Sequence, residues 1–74
     1  MIATQEEFLD QFRTNLRRLI KEEQADVEDV ADESGIPSKV IRNLMREGSA
    51  PMPKAYTVYA LSVYFGVSAD ELML

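Results

Sequence analysis

The sequence predicts an all-α fold of five helices, and three observations carry that prediction. Phe8, Phe12, Leu16, Leu19 and Ile20 recur at the spacing of one helix face. The stretch from Val27 to Arg46, VEDVADESGIPSKVIRNLMR, reads as helix, glycine turn, helix. Near the C-terminus Gly66 closes one helical pattern and Ser68 opens another. No segment reads as a strand, an internal repeat or a low-complexity run, and residues 1–74 are expected to form one small domain.

Helix 1 opens at a capping box, Thr4 followed three residues later by Glu7, and should run to about Glu23. Asp26 is a good N-cap for helix 2, and the acids in its first turn suit the helix dipole. Helix 2 should end near Ser34, because Gly35 supplies the positive φ that a tight exit requires. Pro37 and Ser38 open helix 3, proline as a first-turn residue and serine as a cap, and the helix should stop near Gly48. Val30, Ala31, Ile36, Ile41 and Leu44 fall where helices 2 and 3 would touch.

Ser49 to Pro53, SAPMP, makes a stiff connector. Helix 4 is placed at roughly 54–65, with Val58, Leu61 and Phe65 toward the core. Nine of the eleven residues from Ala55 to Phe65 are apolar or aromatic, so the helix is apolar nearly all round. Tyr56, Tyr59, Val63 and Tyr64 spread over its remaining surface. They read as a self-association patch, because tyrosines are favoured interface anchors; the alternative is ordinary half-exposure in a small domain. Ser68 caps a last short helix with Asp70 and Glu71 in its first turn and Leu72 packing back.

Composition excludes several classes. A domain of 74 residues buries about 60–65% of its unfolded surface, so it is marginal alone and gains from pairing with a second copy. There is no cysteine and no histidine, which removes disulfides, thiolate metal sites and the commonest catalytic base. Catalysis would need paired carboxylates in a cleft or an activated lysine. The carboxylates crowd one helix instead, and no glycine loop cradles a phosphate. Neither an enzyme, a cofactor nor a metal is expected. No apolar run reaches the length of a membrane span and no signal peptide opens the chain, so a soluble cytoplasmic protein is expected.

Net charge is −5, from 8 basic and 13 acidic residues, but it is unevenly spread. Residues 22–33 hold seven acids and no base, whereas residues 38–54 hold Lys39, Arg42, Arg46 and Lys54 against the single acid Glu47. An acidic helix 2 therefore precedes a basic helix 3. On helix 1, Arg13, Arg17 and Lys21 make an i, i+4, i+8 stripe. A solubilising face partly paired with Asp10 is the favoured reading of that stripe, over one lying against a nucleic-acid backbone.

Two short helices crossing about a glycine turn make a helix-turn-helix, whose second helix enters the major groove of DNA. DVEDVADESGIPSKVIRNL, then a proline turn, then VYALSVYFGVSADEL, resembles the lambda-repressor/Cro (Xre-type) helix-turn-helix family. The resemblance covers about residues 8–73, and its most specific parts are ADESGIPSKVI and FGVSADEL. It implies a compact five-helix lambda-repressor-like DNA-binding domain. By similarity Ser38, Lys39 and Asn43 occupy base-facing positions with Arg42 beside them, and Arg46 and Lys54 lie where the family tends to touch phosphate. Lysine and arginine donate to guanine, asparagine pairs with adenine, and serine serves several bases.

The chain departs from the family at three places. Val27 stands where a phosphate-contacting glutamine is usual. Helix 2 carries the acids. Ile20 and Met45 replace an arginine–glutamate pair between helices 1 and 3, an apolar swap that orphans no charge.

The expected function is sequence-specific transcription regulation. No effector domain is expected beyond the fifth helix, which would suit a Cro-like repressor, a restriction–modification controller or another small phage or plasmid regulator, with double-stranded DNA and a second copy as the expected partners. The alternative is a protein-binding module on the same fold, an antirepressor or a partner of another regulator. Val27 and the aromatic helix 4 would suit it.

Overall fold

A computed structural model describes residues 4–46 and 51–74, and it contains α1 (Gln5–Glu22), α2 (Val27–Ser34), α3 (Ser38–Met45), α4 (Ala55–Phe65) and α5 (Ala69–Met73). No strand occurs among the described residues. Helix α1 packs on α3 and α5, α2 packs on α3 and α4, and α4 packs on α5. The Cα radius of gyration is 11.3 Å, the value of about 11 Å that compact chains of this length reach.

Each helix begins for a local reason. The Thr4 hydroxyl accepts from the Glu7 amide at 3.1 Å while the Glu7 carboxylate reaches back to the Thr4 backbone, completing the capping box. Asp26 Oδ1 accepts from the Glu28 amide at 2.9 Å, and Ser68 Oγ accepts from the Glu71 amide at 3.3 Å. At α3 the expected serine cap does not form. Pro37 occupies the cap position and Ser38 is the first helical residue with no capping hydrogen bond. Proline presets the φ of −56° needed there, and the turn is tied instead by Ser34 Oγ, which accepts from the Ile36 amide at 3.2 Å.

The helix ends are equally specific. Helix α2 exits through Gly35 at φ +79° and α4 through Gly66 at φ +68°. Helix α1 exits through Gln24, a non-glycine residue at φ +51°. There the Gln24 amide bonds to the Lys21 carbonyl and the Ala25 amide to the Ile20 carbonyl, a Schellman closure. Helix α3 is shorter than its sequence suggests. It ends at Met45 because Arg46 turns to extended backbone, its amide closing back on the Asn43 carbonyl at 3.3 Å. The expected stop at Gly48 and the first part of the connector, Ser49 and Ala50, lie outside the described residues.

One core joins the helices. Phe12, Leu16, Leu19 and Ile20 of α1 meet Val30, Ile36, Ile41 and Leu44 of the α2–α3 unit, Val58, Ala60, Leu61 and Phe65 of α4, and Leu72 of α5. Phe8, Ala31 and Met45 pack against this cluster partly buried. Burying apolar area of this kind contributes about 25 cal/mol per Å². Thr57 and Ser62 are buried beside it, and Ser62 Oγ is satisfied by donating to the Tyr59 carbonyl at 2.7 Å.

Candidate functional site

Helix α3 divides cleanly into two faces. Ile41 and Leu44 are buried, whereas Lys39, Arg42 and Arg46 are exposed and Asn43 is half-buried. At 100° per residue, Lys39, Arg42 and Asn43 fall within roughly 100° of arc, opposite the core residues, and Arg46 follows just past the helix end. Ser38 lies half-buried at the start of the helix, at the margin of this face. The core contacts of Ile41 and Leu44 therefore fix the rotation of α3 and aim the polar face outward.

The side chains of that face are not all unengaged. Arg42 donates to Glu28 Oε1 of α2 at 2.6 Å, an ion pair whose side chains are 55% and 58% exposed. The Arg46 guanidinium donates to the side-chain oxygen of Asn43. Among the described residues Lys39 makes no side-chain hydrogen bond. Sequence reasoning named the two arginines but not Glu28, which it treated only as one of seven acids. Fourteen residues separate Glu28 from Arg42, and no spacing marks the pair. The three-residue turn brings the first turn of α2 against the middle of α3.

Three of the four acids of α2 split between two sides, and the fourth, Asp32, is exposed. Glu28 takes the α3 side. Asp29 and Glu33 instead line a concavity with Glu23, Gln24, Tyr64 and Gly66 at the far end of α4. Burial there, together with the carboxylates of Glu33, Asp29 and Glu23, raises the Tyr64 phenol above its ordinary pKa. Tyr64 also stands edge-on to Phe65, with ring centroids 4.9 Å apart.

Tyr64 thus separates from the other three residues expected in a self-association patch. Tyr56, Tyr59 and Val63 follow one another at i, i+3 and i+7 and are 63%, 64% and 61% exposed. Tyr64 is half-buried and stands at the edge of the arc that the other three define.

Beside the α3 face runs an apolar groove of about 390 Å³, floored by Ile36 and Leu44 and walled by Val40, Met52 and Tyr56. Asn43 and Lys54 both line it, so Lys54 borders the same groove as α3. On α1, Arg13 pairs with Asp10 at 2.5 Å and Arg18 with Glu22 at 3.3 Å. The expected pairing with Asp10 is present, but the Arg13 side chain is only 14% exposed, so it is Arg17 and Lys21, both exposed, that present a solvated face.

Among the described residues no cluster of three metal-ligating side chains occurs, and no helix is long and apolar enough to cross a membrane. Comparison with protein-family models, curated proteins and solved structures finds no match for the chain. The fold and site together define a small all-helical protein with a polar, cationic helix face held outward by its core.

Proposed function

We propose that the chain is a sequence-specific DNA-binding regulator of transcription, of the lambda-repressor/Cro helix-turn-helix type, working in the cytoplasm as a dimer on a two-fold operator. The observation that carries this reading is the outward face of α3, where Lys39, Arg42 and Asn43 share one arc opposite Ile41 and Leu44 and Arg46 follows at the helix end. Its dimensions suit a major groove about 12 Å wide, which admits one α-helix. Lys39 and Arg42 supply donors for guanine, and Asn43 supplies the paired donor and acceptor that adenine needs. Arg46 at the end of α3 and Lys54, which lines the adjoining groove, would serve flanking phosphates. In a dimer the two reading helices stand about 34 Å apart, one turn of DNA.

Fluorescence anisotropy against duplex DNA from upstream of the gene tests this reading. With three to five phosphates contacted per subunit, the log–log salt slope is about −3 to −4.5 for each subunit. The double variant Lys39→Ala/Arg42→Ala should lose binding while keeping its helix content. Binding that ignores both salt and the double variant would overturn the proposal.

A second reading has its own observation. The exposed row Tyr56, Tyr59 and Val63 runs on from the apolar groove at α3, and large exposed apolar patches mark interaction surfaces. A protein-binding module on this fold would engage a partner there, with little dependence on salt and none on Lys39.

A further inference from the structure

We infer that Glu28 is a counter-anion built into the α3 face, which holds the Arg42 guanidinium in the free protein and suppresses sequence-independent attachment to DNA phosphates. The inference rests on the DNA-binding reading and adds a determinant of its specificity.

Two forces place the carboxylate there. Glu28 lies in the first turn of α2, where the helix dipole favours an anion. Its Oε1 then meets Arg42 at 2.6 Å, a short charge-assisted contact. Both side chains remain more than half exposed, and exposed pairs contribute little to stability. The pair therefore opens easily when a better partner arrives.

What counts as a better partner depends on charge. A phosphate approaching Arg42 must displace the carboxylate and then sit beside it, anion against anion. A guanine edge presents neutral O6 and N7 acceptors and meets no such repulsion. Glu28 thus weakens backbone contacts by Arg42 while leaving base contacts open, and its freed oxygens can accept from a cytosine amino group. Arg46 is held by the neutral Asn43 amide and carries no comparable restraint. For an acidic protein of net charge −5, the effect is to take affinity from reading bases rather than from bulk attraction.

The test is a double-mutant cycle on a random-sequence duplex, measured by anisotropy from about 50 to 200 mM salt. It compares the full chain with Glu28→Gln, Arg42→Gln and the double variant, each checked for helix content and Tm. Glu28→Gln should bind on the order of tenfold more tightly at the lowest salt, with a salt slope steeper by about 0.9 per subunit. That gain should vanish in the Arg42→Gln background. Wild-type binding that Glu28→Gln leaves unchanged, or raises equally with and without Arg42, overturns the inference and leaves the DNA reading standing. If neither the wild type nor any variant binds random-sequence duplex at the lowest salt, there is no attachment for Glu28 to suppress and the inference falls, whereas the DNA reading falls only if the upstream duplex is not bound either.

Discussion

The side-chain amide of Asn15 donates a hydrogen bond of 2.8 Å to the backbone carbonyl of Leu72, joining α1 to α5 across 57 residues of sequence. Leu72 lies in the last turn of α5, where carbonyls have no partner within the helix. A five-residue helix has no stability of its own and must be held by its surroundings. Asn15 supplies that hold, and its Oδ1 is in turn satisfied by Gln11 Nε2 at 3.2 Å. Leu72, fully buried, completes the attachment on the apolar side.

Replacing Asn15 by leucine is expected to cost about 1–3 kcal/mol, because the Leu72 carbonyl is left buried and unpaired. In a domain of this size that lowers the Tm by about 4–8 °C for each kcal/mol. Thermal melts followed by circular dichroism measure the loss, and hydrogen exchange locates it. The amides of α5 should lose protection first. An unchanged melt would mean that Leu72 alone anchors the fifth helix.

Gly35 and Gln24 occupy the same left-handed region with opposite consequences, at φ +79° and +51°. A Cβ on Gly35 would stand 3.9 Å from the Tyr56 hydroxyl, so there is room for it. The penalty is the backbone conformation itself, about 1–2 kcal/mol for an ordinary L-residue. Gly35→Ala should therefore destabilise by about that amount, with Gly35→Asn less damaging. Gln24 already carries this strain, so Gln24→Gly should stabilise by up to about 1 kcal/mol. Urea denaturation of the three variants checks both signs at once.

Sequence legibility followed the range of the forces involved. The Thr4, Asp26 and Ser68 caps and the exits at Gly35 and Gly66 are local, and each stands where its residue type pointed. The stripes of α1 and α4 were legible for the same reason. The Gln24 exit was not, because glycine usually marks that conformation and here Ile20 and Ala25 pack well enough to hold glutamine in it. Asn15 was hidden because its partner lies at the other end of the chain. Of the candidate site, the polar arc on α3 follows from periodicity alone. The Glu28–Arg42 and Asn43–Arg46 pairs do not, since they depend on rotamers and on how tightly α2 folds back. That Tyr64 is half-buried while Tyr56, Tyr59 and Val63 are exposed was not legible either, since it depends on how α2 packs beside the end of α4.

That geometry separates two classes of α4 variant. Under the proposed dimer, Tyr59→Ser/Val63→Ser should shift sedimentation equilibrium toward monomer with the Tm changed by only a few degrees. Both side chains are more than 60% exposed, so little folding energy depends on them. Tyr64→Phe should leave association unchanged. Equal loss of dimer in both variants would place the interface elsewhere.

Tyr64 has a separate signature at alkaline pH. Burial first, then the carboxylates of Glu33, Asp29 and Glu23, raise its pKa in the folded protein above the ordinary value of 10.0. The folded state therefore keeps the phenolic proton after the unfolded state has begun to lose it. The resulting stabilisation is complete below pH 10 and is lost as pH rises through the raised folded value. Melts of the wild type from pH 9 upward should show a decline in Tm that is shallower in Tyr64→Phe, because phenylalanine has no proton to lose. Tyrosinate absorbance near 295 nm should correspondingly lose its late-titrating component in the variant. Adding Glu33→Gln to the wild type should bring that component to lower pH, which a shift caused by burial alone would not do.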